Sequence, residues 1–333
     1  MKLATLKSGS RDGRLVVVSA DLRRAVDATP VAPSLLAALE DWAVARPRLQ
    51  ALSAQLARGT APGAFDFNVL HAAAPLPRAP QWCDGSAFLN HGRLMARAFG
   101  MAPIPDADTV PLMYQGGSDD LLGPCDDLPL PRESDGIDFE GEFGVIVDRV
   151  PMGCQPAECR ERIALLVQLN DVSLRALGPR EMRTGFGFFQ AKPSSSFAPV
   201  AVTPDEIGPA WNDARVCLDL RVDYNGAWFG HPNGGDMHFG FDQLIAHAAA
   251  TRRLSAGTII GSGTVSNAAM GRGCACIAER RAIETIESGQ AHTPFMRFHD
   301  RVRMEARWQD QPVFGAIDQR VVQAARRDPP GGI

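Results

Sequence analysis

The chain has 333 residues, 45% of them hydrophobic and 22% charged, the balance of an average globular protein. Its 34 Lys and Arg against 38 Asp and Glu leave a net charge of −4, which gives no electrostatic reason to expect nucleic acid or an anionic membrane as partner. The length excludes a short binding module, and 25 Pro with 32 Gly, free of any fixed repeat, exclude a fibrous or low-complexity chain.

The opening MKLATLKSGSRDG carries no apolar core of a secretory signal, and no run of about 18 apolar residues follows it anywhere. Seven scattered cysteines, an odd number, suit free thiols in a cytoplasmic, reducing setting. Residues 14–19 (RLVVVS) predict a strand. Ser34 predicts a helix cap ahead of Leu35, Leu39 and Trp42 at i, i+4 and i+7. Pro47 restarts that pattern as Leu49, Leu52 and Leu56, which reads as a second helix or a kink. The Pro- and Gly-rich stretch 58–80 reads as a linker, placing a small N-terminal domain at 1–75 and a larger one at 76–333.

In the larger segment β patterns dominate. Val216, Leu218, Leu220 and Val222 alternate with polar neighbours up to Asn225-Gly226, a hairpin turn. Val302, Met304, Ala306 and Trp308 alternate likewise and lead through a polar turn to VFGAI. Helical patterns are confined to about 156–166 and 241–251. With no βαβ rhythm, the fold class is mainly β (α+β) with a few peripheral helices.

No nucleophile elbow, HExxH or phosphate loop is present, and the GSGTVS segment lacks the third glycine of a dinucleotide fingerprint. Acidic residues carry more information. Glu140 and Glu142 lie two apart on a predicted strand, so both point to one face, either a solvated one or one side of a cation site; Phe139, Phe143, Val145 and Val147 take the core face. Asp171 follows a buried apolar run and either fixes a turn or joins such a site. Asp84 and His91, seven apart, read either as a helix cap with a surface imidazole or as a metal ligand beside a base for water. Lys192, after Phe186, Phe188 and Phe189, either snorkels to solvent or donates to an oxyanion.

Taken together, in order and spacing, these segments resemble the fumarylacetoacetate hydrolase family from about residue 80 to 325, and the preceding segment fits its two-domain members. The resemblance implies a fumarylacetoacetase-like β-sandwich roll behind a small N-terminal domain. It implies a divalent cation (Mg²⁺, Ca²⁺ or Mn²⁺) on Asp84, Glu140, Glu142 and Asp171, the last in an N-D-x-S-x-R segment. It also implies His91 as the base with Glu279 as its partner, Lys192 and Arg175 at the oxyanion, and Tyr114 and Thr264 at the substrate. The implied reaction is hydrolysis of a carbon–carbon bond in a 1,3-diketo acid, with fumarylacetoacetate, an intermediate of tyrosine degradation, as the first expectation. A homodimer is implied as well. Relatives that decarboxylate, hydrate or tautomerise 2-oxo acids supply the main alternative, and an inactive binding member the second. Three positions depart from the family pattern. Gly178 stands where an oxyanion-donating Gln is usual, Ser86 where a substrate Tyr is, and Gly100 where an Arg is.

Overall fold

The computed structural model describes residues 1–100, 102 and 104–325; the end of the larger predicted segment, 326–333, lies outside the described residues. Two β-sheets make the frame. The larger runs in the order Phe65–Asp66, Arg24–Asp27, Arg14–Val18, Lys2–Leu6, Val200–Val202, Ile163–Asn170, Gly141–Val147, Ile259–Gly261, Trp82–Gly85, Met113–Gly116. All neighbours on this path are antiparallel except Ile259–Gly261 with Trp82–Gly85. The second sheet runs Ala227–Gly230, Leu220–Tyr224, Arg301–Trp308, Ile317–Gln323, Leu128–Leu130.

The larger sheet is buried on both faces, which explains why its central strands read as continuous apolar runs. On one face Phe143, Val145 and Val147 join Leu220, Val222, Met304 and Ala306 of the second sheet in one core. On the other, Ile146, Leu165 and Val167 join Leu35, Leu39, Trp42 and Leu49 of the N-terminal helices. The sandwich is tight at Gly141, where a Cβ would stand 2.9 Å from the Leu220 side chain. The N-terminal segment shares this sheet, since Lys2–Leu6 pairs with Val200–Val202.

Local signals behave as chemistry dictates in most places. Ser34 accepts from the Ala37 amide and opens helix Leu35–Glu40, a cap that contributes about 1 kcal/mol. The break then falls at Asp41, and Pro47 sits inside helix Trp42–Ala57 on its exposed side, where the carbonyl it leaves free can be hydrated. Asn225 and Gly226 both take positive φ and close the hairpin. The predicted helix 156–166 is corrected: it ends at Arg160, and Ile163 already begins a strand that pairs with Gly141–Val147. Helices Leu89–Phe99 and Ile277–Ser288 were not expected from periodicity; the first buries no side chain and the second only a short stripe. No helix among the described residues is long and apolar enough to cross a membrane, and all seven cysteines are unpaired.

Candidate active site and metal centre

Residues paired across a sheet share a face. Gly144, Gly261 and Asp84 are in register across three adjacent strands, and Glu142 lies two residues from Gly144, so Glu142 and Asp84 project to the same side. Gly261 between them has no room for a side chain: a Cβ there would stand 2.4 Å from Asp84 Oδ1 and 2.3 Å from the Trp82 ring. Asp171 follows the end of strand Ile163–Asn170 and completes the group. One carboxylate oxygen from each of Asp84, Glu142 and Asp171 lies within 4.8 Å of the others, all three residues being buried.

The partners of these carboxylates are few. Asp84 Oδ1 accepts from the Gly263 amide at 3.0 Å, and Asp171 accepts from Ser195 Oγ at 2.7 Å and Tyr114 Oη at 2.5 Å. Both oxygens of Glu142 are buried and no donor group among the described residues reaches them; only the Asp84 carboxyl lies close enough to share a proton with it. Burial, with the neighbouring Asp171 charge adding to it, pushes the Asp84 carboxyl up to about 8. Burial and the charges of Asp84 and Asp171 push Glu142 well above the carboxylate range. An all-oxygen set with an orphaned buried carboxylate is what a hard divalent cation satisfies.

Glu140 is not part of this group. Its carboxylate is bound by Arg175 Nη2 and by Lys192 Nζ at 2.6 Å. Burial alone would raise the Glu140 carboxyl, but the charges of Arg175 and Lys192 outweigh it and hold it at about 2. Lys192 also reaches Asp171 at 2.6 Å and lies 5.4 Å from the centre of the Tyr114 ring. Arg175 Nε donates to Asp138 at 2.8 Å. Against the pull of burial, these carboxylates keep both cations above their ordinary pKa values. A buried carboxylate between two cations is thus matched, while one step along the same strand Glu142 is not.

The second cluster is built on the two unexpected helices. His91 Nδ1 stands 3.0 Å from Glu279 Oε2, and Glu279 Oε1 accepts from Ser266 Oγ at 3.0 Å. Asn90 Nδ2 in turn donates to Ser266 Oγ at 2.8 Å. Glu279 is 1% exposed and the His91 side chain 22%, so the dyad is fixed from behind and open in front. Thr264 is buried beside Gly263, and its hydroxyl makes no hydrogen bond among the described residues. The structure therefore brings Asp84, Glu142 and Asp171 together, pairs Glu140 with Arg175 and Lys192, joins His91 to Glu279, and sets Tyr114 on Asp171.

Asp138, Asn90, Ser195 and Ser266 were missed. Asp138 had a signal, because it extends the alternation of Glu140 and Glu142 backward by two. Fully buried, it accepts from the Ile277 and Ala278 amides at the start of helix Ile277–Ser288 and ties that helix to Arg175. Gln190, which stands close to Lys192 in sequence, is exposed and bound only through its backbone amide to Glu181.

Residues 81–322 match the family model described as fumarylacetoacetate (FAA) hydrolase C-terminal, and residues 1–78 match fumarylacetoacetase N-terminal domain 2. A 2,4-didehydro-3-deoxy-L-rhamnonate hydrolase from Sphingomonas sp. (strain SKA58) is 31% identical over 165 residues, which is 49% of this chain and 54% of that protein. The match thus spans only about half of that relative. Among solved structures, maleylpyruvate hydrolase from Sphingobium sp. SYK-6 in complex with manganese(II) ion and pyruvate aligns with a TM-score of 0.64 and 20% identity, over 98% of this chain and all of that one. The 2-hydroxyhepta-2,4-diene-1,7-dioate isomerase from Mycobacterium marinum aligns at 0.60 and 16%, over 98% and 100%. At these identities the likeness is one of fold.

Proposed function

The chain belongs to the fumarylacetoacetate hydrolase family, and on that footing we propose that it hydrolyses the carbon–carbon bond of a 2,4-dioxo acid with a divalent cation bound at Asp84, Glu142 and Asp171. The observation that carries the reading is the orphaned Glu142 carboxylate, set among two further acids near an imidazole–carboxylate pair. When bound, the cation supplies Lewis acidity toward the dioxo group.

The chain's own groups account for the rest. Glu279 holds the proton on His91 Nδ1 and leaves Nε2 free to accept one from water. The hydroxide so formed attacks the 4-oxo carbon. Lys192 spends two N–H groups on Glu140 and Asp171 and has a third for the oxyanion. Arg175, bound to Asp138 and Glu140 through Nε and Nη2, supports Glu140 and offers Nη1. Cleavage then gives a carboxylic acid and the enolate of a 2-oxo acid, which regains a proton. Tyr114, held on Asp171, and Thr264 border the substrate. Relatives named for a rhamnonate derivative and for maleylpyruvate support a dioxo-acid hydrolase without singling out fumarylacetoacetate. The isomerase among the fold neighbours keeps a tautomerising reaction on the same residues as the second reading.

Acetylpyruvate turned over in ¹⁸O-labelled water separates the two. Hydrolysis is expected to place one solvent oxygen in the acetate released, read by mass spectrometry. An isomerase releases no acetate, and a decarboxylase releases carbon dioxide.

A further inference from the structure

Beside the carboxylate group lies a cleft of about 350 Å³, bordered by Gln115, Asp119, Asp120, Phe188, Phe189 and Lys192. It joins the reaction centre at two points. Lys192 reaches from it to Glu140 and Asp171, and the Phe188 ring meets Tyr114 edge-on at 5.3 Å. The aromatic wall is held in place. Glu181 accepts from the backbone amides of Phe189, Gln190 and Ala191 at 2.9, 2.8 and 3.1 Å. Those bonds leave Phe189 86% exposed, an apolar surface offered to something outside the fold.

The facing wall is acidic and polar. Asp119 and Asp120 are exposed neighbours, and Asp120 accepts from Ser194 Oγ at 3.2 Å. Gln115, whose oxygen accepts from Gln81 at 3.2 Å, keeps N–H groups to donate. The one cation on the lining, Lys192, is already committed to two carboxylates. The nearby Arg11 reaches Asp119 only through its backbone carbonyl, at 3.3 Å.

We infer that this cleft receives the part of the substrate beyond the dioxo group and selects an uncharged, hydroxylated chain over one ending in a second carboxylate. The inference rests on the dioxo-acid reading above and deepens it. Hydroxyls donate to the Asp119 and Asp120 carboxylates and accept from Gln115, while the carbon face of the chain lies against Phe188 and Phe189. A terminal carboxylate meets two like charges with no free cation on the lining to offset them.

The test compares kcat/KM for acetylpyruvate, a 2,4-dioxo acid ending in a dihydroxyethyl group, and one of equal length ending in a carboxylate. The hydroxylated acid is expected to exceed the carboxylate-ended one by about tenfold or more. The double variant Asp119→Asn with Asp120→Asn is expected to cut that ratio by about tenfold, and added salt to narrow it in the unaltered protein. A preference for the carboxylate-ended acid, or a ratio that neither change moves, overturns the inference. Loss of turnover on all three acids, acetylpyruvate included, overturns instead the hydrolase reading beneath it.

Discussion

Replacing His91 with alanine is expected to lower kcat by about 10²–10⁴-fold while leaving fold and Mn²⁺ affinity as they were. The separation follows from where His91 sits. No residue of helix Leu89–Phe99 is fully buried, so truncating His91 removes less packing than a core truncation does, and the imidazole is no part of the carboxylate group that fits the cation. Its one hydrogen bond runs to Glu279, which keeps Ser266 as a second partner. Catalysis loses the only imidazole that, among the described residues, stands against a buried carboxylate. Thermal unfolding, calorimetry with Mn²⁺ and steady-state turnover read the three quantities separately. Full turnover in the variant removes His91 from the mechanism.

The second large effect concerns Glu142, and its sign differs between the metal-free and metal-bound protein. Glu142→Gln is expected to abolish cation binding, because the orphaned carboxylate is the ligand the fold leaves unsatisfied. Without metal the same change is expected to stabilise the protein, since burial and its acidic neighbours force Glu142 to stay protonated, at a cost that grows with pH and that the neutral amide avoids. The gain should depend on pH. An acid whose pKa in the folded state lies above its unfolded value contributes stability that is complete below the unfolded value and lost as pH rises through the folded one. With Asp84 raised to about 8, the metal-free protein is expected to lose stability from about pH 4 to pH 8. Glu142→Gln should flatten that decline, and Mn²⁺ should reverse it only in the unaltered protein. Each kcal/mol moves the unfolding midpoint by roughly 1–2 °C for a chain of this length. A metal-free variant less stable than the parent at pH 8 contradicts this picture.

What the sequence showed, and what it hid, divides along contact range. The alternation of Glu140 and Glu142 with Phe139, Phe143 and Val145 is a local property, and it set the acids on the face opposite those three; that the acid face is buried too, with Ile146 in the second core, is not local. The hairpin at Asn225-Gly226 and the Ser34 cap are equally local. What fate each acid meets is not. Glu140 and Glu142 look alike in sequence, yet Arg175 and Lys192 come from distant segments to claim Glu140 and leave Glu142 alone. The His91–Glu279 contact spans 188 residues, so family resemblance rather than spacing placed it. The error at 156–166 has a similar origin. A helical reading of 163–166 gives way because the strand Gly141–Val147 offers backbone partners that no local pattern records. The N-terminal segment, read as a small domain with a short strand and helices, matches a family model of its own over residues 1–78, and no local pattern records that its Lys2–Leu6 strand pairs with Val200–Val202.

The most direct measurement follows the ultraviolet absorbance of the enol form of acetylpyruvate with purified protein in Mn²⁺, then in excess EDTA, then with Mn²⁺ restored. Loss of absorbance with Mn²⁺, arrest in EDTA and recovery on restoration, with acetate and pyruvate appearing in equal amounts, is the expected result. Turnover that continues at full rate in EDTA, or a folded protein that neither binds a divalent cation nor consumes any dioxo acid, would contradict the account.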